Sequence, residues 1–440
     1  MKKRVVVGIA LLSLAALVLA GCDVFQPAGL VGSRSVVPEN GYLLVFRQMP
    51  KDVDAAVAAL GGTVKAVLSD MHVVVAYGDE AFAGNARAAK DVTAVIRDLA
   101  LEKAPAPKSE ALDPEHIGSD EGYFRYQWDM LAIDAPGAWD LGYTGEGARV
   151  AVIDTGIDTD HPDLAANIDF AASASMVPGE TIEDYDGHGS NVAGIIAAAD
   201  NARGVIGVAP NATIIAIKVF DAAGTGYFSW TIEAIAHAVA VDADIINMSL
   251  GAYVAHWEKP GDEVAAFLNL LRDVINYAVQ QGLLVVCSAG NDAHDGTGDA
   301  GILHIPGDVG NGLVVSATGP VGWTPGSSVS LDNLASYSNY GTPIDFAAPG
   351  GDFQLYPNGT WYYDMVLNCV NGGYAWYAGT SQAAPHVCGV AALLVEKLGR
   401  DVKPAQLEAA LRNSADDLGK PGQDPAYGYG RVNAAEAVAP

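Results

Sequence analysis

The chain is short of cysteine, short of basic residues and almost without long apolar runs. Four cysteines in 440 residues cannot hold a disulfide-rich scaffold. Lys and Arg number 24 against 52 Asp and Glu, a formal charge of −28. So acidic a surface repels phosphate backbones and argues against nucleic acid as a partner. Gly and Pro keep no three-residue period, which excludes collagen. Half of the residues are apolar, which excludes a disordered chain. What remains is a globular protein, long enough for one large domain and a smaller one.

The one long apolar run, Val5 to Ala20, follows Lys2, Lys3 and Arg4. A positive start, an apolar stretch and small residues at its end predict a signal peptide over residues 1–21. A membrane-spanning helix is the competing reading, but the run is short for one and no stop-transfer charge cluster follows. Leu19-Ala20-Gly21-Cys22 resembles the lipobox of bacterial lipoproteins. The resemblance implies a lipid on Cys22, which becomes the mature N-terminus. It places the protein outside the cytoplasm of a bacterium, secreted or attached to a membrane. Three cysteines are left. Cys287 in an apolar run and Cys388 in an Ala/Val-rich segment read as small buried hydrophobes. A Cys369–Cys388 bridge stays open.

Residues 22–40 read as a tether, with Pro27, Gly29, Gly32 and Pro38. Over 41–103 a compact pattern follows. Tyr42 to Phe46, Val64 to Leu68, Val73 to Tyr77 and Val92 to Ile96 have strand character. Val53 to Leu60 and Ala81 to Ala89 have helical spacing. The order βαββαβ predicts a small α+β sandwich. Residues 104–126, opening on Ala104-Pro105-Ala106-Pro107, read as an extended linker.

From 127 to 440 continuously apolar runs alternate with helical ones. Strands are predicted at Val150–Ile153, Thr213–Val219, Asp244–Met248, Leu283–Cys287, Leu313–Ala317 and Ile344–Ala347. Helices are predicted at Asn191–Ala199, Thr231–Val241, Glu263–Gln281, Ala383–Lys397 and Pro404–Ser414. Such alternation implies an α/β fold, a mostly parallel sheet with helices on both faces. Ligands of such sheets sit beyond the carboxyl ends of the strands.

Polar residues stand at those places. Asp154 closes Val150-Ala151-Val152-Ile153, where a carboxylate is costly unless hydrogen-bonded or functional. His188 lies between Gly187 and Gly189 before a helix. Ser381 opens a helix, where a hydroxyl is ordinarily a cap. Singly, each has an ordinary structural explanation. Together they supply what a hydroxyl needs to act as a nucleophile: a base, and a carboxylate to hold that base. Asn291, after Leu283–Cys287, can donate to a developing oxyanion or simply make a turn.

At these residues the sequence resembles the subtilisin-like serine proteases. The resemblance rests on Val150-Ala151-Val152-Ile153-Asp154-Thr155-Gly156, Asp186-Gly187-His188-Gly189-Ser190, Ser288-Ala289-Gly290-Asn291 and Gly379-Thr380-Ser381. It implies a serine endopeptidase acting on polypeptides through an acyl-enzyme. Ser381 is the nucleophile, His188 the base, Asp154 its orienter and Asn291 the oxyanion donor. Ser249, Leu250 and Gly251 pair with the substrate, and Ala289 and Gly290 line its pocket. No cofactor joins the chemistry. Residues 41–103 resemble the family's inhibitory propeptides, which makes the chain a zymogen and this region its own intramolecular inhibitor. The resemblance also implies a structural Ca2+ held by Gln127, Asp163 and Asn201 with carbonyls of Ala199, Arg203 and Val205. Two positions depart from the pattern. Asn191 stands where a second His is usual, and Gln382 where Met is usual. The segment 351–374 is long and aromatic, and reads as a surface hairpin or as a wall of the cleft. The alternative is a catalytically silent binding lipoprotein on the same scaffold, against which the presence of all four catalytic residues weighs.

Overall fold

A computed structural model describes residues 40–102, 122–255, 262–297 and 301–440. The expected signal peptide, Cys22, most of the tether and most of the linker lie outside the described residues.

Gly41–Phe46, Thr63–Leu68, Val73–Tyr77 and Val92–Arg97 make a four-stranded antiparallel sheet, in the order second, third, first, fourth. Helices Val53–Leu60 and Glu80–Ala88 cover one face. Asp52 and Asp79 cap them by accepting the N–H groups of Ala55 and Phe82. Period-2 alternation sends Tyr42, Leu44, Phe46, Val74 and Ala76 under these helices. Leu43, Val73, Val75 and Ile96 take the opposite face.

That second face packs on helices Phe228–Ala240 and Asp262–Gln281 of the larger region, in one continuous core. Lys65 pairs with Glu233 at 2.8 Å across the seam, and the Arg97 N–H donates to Glu263. The Ser229 N–H donates to Asp98 at 3.0 Å, so a carboxylate of the small region sits on the first turn of the helix Phe228–Ala240. Ala100–Glu102 then adds antiparallel to the edge Thr225–Tyr227, with Leu101 fully buried.

The larger region is built on a mostly parallel sheet. Its order is Asn333–Leu334, Leu313–Gly319, Leu284–Ser288, Ile245–Met248, Arg149–Asp154, Thr213–Lys218, Ala174–Ser175, and Phe346–Pro349 also pairs with Leu313–Gly319. Within it Asn333–Leu334 runs antiparallel to its neighbour. Val150, Val152, Ile214 and Ala216 face one core, shared with the helices His188–Ala197 and Thr380–Leu398. Ala151, Ile153, Ile215 and Ile217 face the other, with the helices Phe228–Ala240 and Asp262–Gln281. This is why the strands read as unbroken apolar runs.

Three local expectations shift. The strand expected at Ile344–Ala347 is Phe346–Pro349, because Ile344 is spent in a turn, its N–H bonding to Gly341. The histidine and serine helices start at His188 and Thr380, three residues before their apolar patterns begin, because their first turns are buried yet built of polar residues and glycine. The 351–374 segment is not a surface hairpin along its whole length. Its strand Val366–Val370 is buried against the histidine helix, and the buried strand Gly373–Tyr377 pairs antiparallel with it. All three described cysteines are free and buried, so the Cys369–Cys388 bridge does not form.

Candidate active site

Asp154 ends its strand fully buried. Its Oδ1 accepts the Thr155 N–H at 2.7 Å and faces His188 Nδ1 at 2.7 Å. A carboxylate only accepts, so Nδ1 carries the proton and Nε2 keeps a lone pair for base work. Oδ2 is buried with no partner among the described residues. The ring of Tyr377 lies over His188 at 6.5 Å and 27°.

A turn that the motif alone does not reveal sets His188 in place. Asp184 takes the N–H groups of Asp186 and Gly187 on one oxygen, and the N–H and hydroxyl of Ser190 on the other. Gly187 is left-handed at φ +96°, which favours glycine there. Gly189 serves a different need: a Cβ on it would lie 2.2 Å from the Gly156 carbonyl oxygen. The strand end carrying Asp154 and the helix start carrying His188 can therefore approach closely. Thr155 Oγ1 seals the approach by accepting the Gly189 N–H at 2.8 Å.

Ser381 is the second residue of its helix and is 6% exposed. Its hydroxyl donates to the Ser249 carbonyl at a long 3.3 Å. It makes no hydrogen bond to His188. The main chain of Ser381 is held firmly. Its carbonyl accepts the Ser249 hydroxyl at 2.8 Å, and the Asn247 amide braces that hydroxyl at 3.0 Å. Asn291 Oδ1 accepts both the N–H and the hydroxyl of Thr380 at 2.8 Å. Those two bonds fix its amide orientation and leave Nδ2 for the oxyanion side, beside Gly379.

Ser249-Leu250-Gly251 and Ala289-Gly290 leave the ends of adjacent parallel strands, so they run side by side. Three residues that sequence reasoning missed stand between them. A Cβ on Gly251 would lie 2.4 Å from His304 Nε2, and one on Gly290 would lie 2.4 Å from Asn339 Nδ2 and 2.8 Å from the Tyr253 hydroxyl. Tyr253 and His304 are register partners, their rings 5.0 Å apart. His304 Nδ1 is buried without a partner among the described residues, and burial pushes the imidazole down to about 4. Neither residue sits in a motif. Only strand register brings them to the slot.

Of the residues expected at a calcium site, Gln127 is buried, its Oε1 accepting the Ile206 N–H at 3.0 Å and its Nε2 donating to the Ile206 carbonyl at 2.8 Å, which leaves Oε1 a second lone pair. Asp163 is fully buried and accepts from Asn201, the Val205 N–H and the Tyr374 hydroxyl. No described basic side chain forms an ion pair with it, so its charge is left to neutral donors. Asn201 Nδ2 donates to it at 3.2 Å and to the Pro162 carbonyl at 3.1 Å, which ties the loop after the histidine helix to this turn. A carboxylate and amide oxygens are the donors a hard cation would take. His161 and Cys369 approach Asp163 closely enough to resemble a metal cluster. His161 cannot join one, since Nδ1 accepts the Asp163 N–H and Nε2 meets the Gly373 carbonyl.

Fold and site together define a subtilisin-like serine endopeptidase. The chain belongs to the subtilase family, whose model matches residues 145–430. It is 32% identical to Subtilisin NAT of Bacillus subtilis subsp. natto over 91% of each chain. It is 37% identical to a subtilisin of Bacillus pumilus, over 71% of this chain and 98% of that one. Among solved structures it resembles the epidermin leader peptide processing serine protease of Staphylococcus aureus. The TM-score is 0.74 at 26% identity, covering 91% of this chain and 97% of the other.

Proposed function

We propose that the chain is a zymogen of an extracytoplasmic serine endopeptidase that works through Asp154, His188 and Ser381. The observation that carries this is the 2.7 Å contact of buried Asp154 with His188 Nδ1, which fixes the tautomer that makes Nε2 a base. Ser381 Oγ attacks the peptide carbonyl as its proton passes to Nε2. The oxyanion is met by Asn291 Nδ2 and the Ser381 N–H, at a helix start that favours negative charge. His188 then protonates the leaving amine, and water repeats the sequence on the acyl-enzyme. Substrate lies as an added strand along Ser249–Gly251, its side chain before the cut entering the slot by Ala289 and Gly290. His304 shortens that slot.

Residues 41–103 act as the inhibitor. Support comes from their shared core with the larger region and from Ala100–Glu102 lying on the edge Thr225–Tyr227. A calcium ion bound by Gln127, Asp163 and Asn201 with carbonyls of Ala199, Arg203 and Val205 would brace the loop after the histidine helix. Cleavage in the linker separates the catalytic region from a lipid on Cys22. The protein is then membrane-bound before processing and soluble, or held only by non-covalent contacts, afterwards.

One experiment tests both parts. Membrane and soluble fractions of expressing cells are treated with a fluorophosphonate probe and blotted for each half. The expected result is a labelled, shortened catalytic chain, with the N-terminal half left on membranes. Ser381→Ala should abolish both labelling and shortening. Labelling that survives Ser381→Ala refutes the site, and an active chain that is full-length and membrane-bound refutes the processing.

A further inference from the structure

The two departures from the family pattern meet each other. Asn191 stands on the first turn of the histidine helix, three residues after His188. Gln382 directly follows Ser381 on the first turn of the serine helix. Both side chains are fully buried. Gln382 Nε2 donates to Asn191 Oδ1 at 3.1 Å. The other arm of each amide, Asn191 Nδ2 and Gln382 Oε1, is buried with no partner among the described residues. Two half-satisfied amides inside a core are expensive to keep. An apolar pair of the same volume would pack there without that cost.

The geometry around the pair indicates what it does. Asp154 holds the imidazole at Nδ1. The serine's main chain is held by Ser249 on one side. On the other side the Gln382 N–H bonds to Gly379, and the Gln382 carbonyl meets His386 Nδ1. Base and nucleophile are thus each fixed to their own surroundings. What remains is the spacing and rotation of one helix start against the other. The Asn191–Gln382 bond is a direct polar link between those two turns.

We propose that Asn191 and Gln382 are positioning residues: their amide bridge sets the distance over which the Ser381 hydroxyl reaches His188. The proposal rests on the triad reading above. It assigns a role in catalytic geometry to two side chains that touch neither substrate nor a reacting atom.

A double-substitution cycle tests it. Gln382→Met and Asn191→Leu each remove one amide at nearly constant volume and strand the other. Each single variant should lower kcat about tenfold with KM nearly unchanged. The rate of acylation by a fluorophosphonate, which needs no peptide binding, should fall in the same proportion. The double variant lacks the bridge as either single variant does, so it should be no slower than they are and should stay about tenfold below the parent. The swapped pair, Asn191→Gln with Gln382→Asn, keeps both amides and the combined reach, and should recover to within about threefold of the parent. Rates are taken per folded molecule, by active-site titration against the circular dichroism signal. Single losses that simply multiply in the double variant overturn the proposal. So do single variants that lose melting temperature while acylating at the parent rate. A parent that is not labelled at Ser381 overturns the triad reading instead, whatever the cycle gives.

Discussion

Two buried carboxylates, Asp154 and Asp98, show how differently one chemical group is used in two regions of the chain. Both are almost wholly buried and both accept a backbone N–H. Asp154 belongs to the larger region throughout: its strand, its histidine and its neighbours are all there. It has one oxygen on the imidazole and one left bare. That arrangement responds when charge appears on the ring, which is what base catalysis produces. Asp98 is buried only by the docking of one region on the other. Its partner is the first turn of the helix Phe228–Ala240, and Lys65 and Glu233 lie beside it. The catalytic corner is built to stay together while charge moves through it. The seam loses its burial, and with it the environment of Asp98, when the regions part.

The corner predicts the largest effect. Asn291 holds Thr380 with its oxygen, and in the proposed mechanism its nitrogen meets the oxyanion. Asn291→Leu should lower kcat by about 10²-fold, the scale already known for oxyanion donors of this family, with KM little changed. Asn291→Asp keeps the acceptor for Thr380 and loses only the donor. If it matches the parent in steady-state kinetics, the oxyanion role is wrong.

The seam predicts an effect no larger than that, and one that depends on pH. Burial pushes Asp98 up to about 6, against the hydrogen bonds from Ser229 and the charge of Lys65. Burial also raises Glu233, with Lys65 opposing. Tyr77 and Tyr227 face the same group, and its charge helps to raise both. In the separated small region Asp98 returns to the ordinary carboxylate range. The docked form therefore binds a proton more readily, and docking is tightest at low pH. It weakens as pH rises from about 4 through about 6, and levels off above that. Between the ends of that window the affinity of the processed halves should fall by up to about a hundredfold, a decade for each unit by which the carboxyl is raised. Asp98→Asn should flatten the slope. Co-elution of the two halves across pH measures it, and a slope of the opposite sign would sink the idea.

The comparison also separates what could be read in the sequence from what could not. The elements of the corner are local signals: an apolar strand closed by Asp154, glycines flanking His188, a serine at a helix start. Each is fixed by neighbours a few residues away, so motif and place coincide. The small sandwich was legible for the same reason, its strand and helix periods being short-range. Other features depend on register between distant strands. His304 reaches the slot because Ile302–Ile305 pairs with Ala252–Ala255, and no local pattern reports that. Asp184 builds the turn under His188 yet looks like one more acid in an acidic chain.

Asp163 extends the comparison to a third buried carboxylate and gives the smallest predicted effect. Unlike Asp154 it has no bare oxygen beside a titrating ring, and unlike Asp98 it lies at no seam. Its three donors are all neutral. A cation shared with Asn201 would offset that charge and tie the loop before Val205 to the start of the His161-Pro162-Asp163 turn. Chelation should then lower the melting temperature of the processed enzyme by about 5 °C, and calcium rather than magnesium should restore it. Asp163→Asn should melt lower than the parent and show no further drop with chelator, while kcat per active site stays near that of the parent. If the parent melts at one temperature with and without chelator, then the three neutral donors suffice for Asp163. The loop would then be held by hydrogen bonds alone.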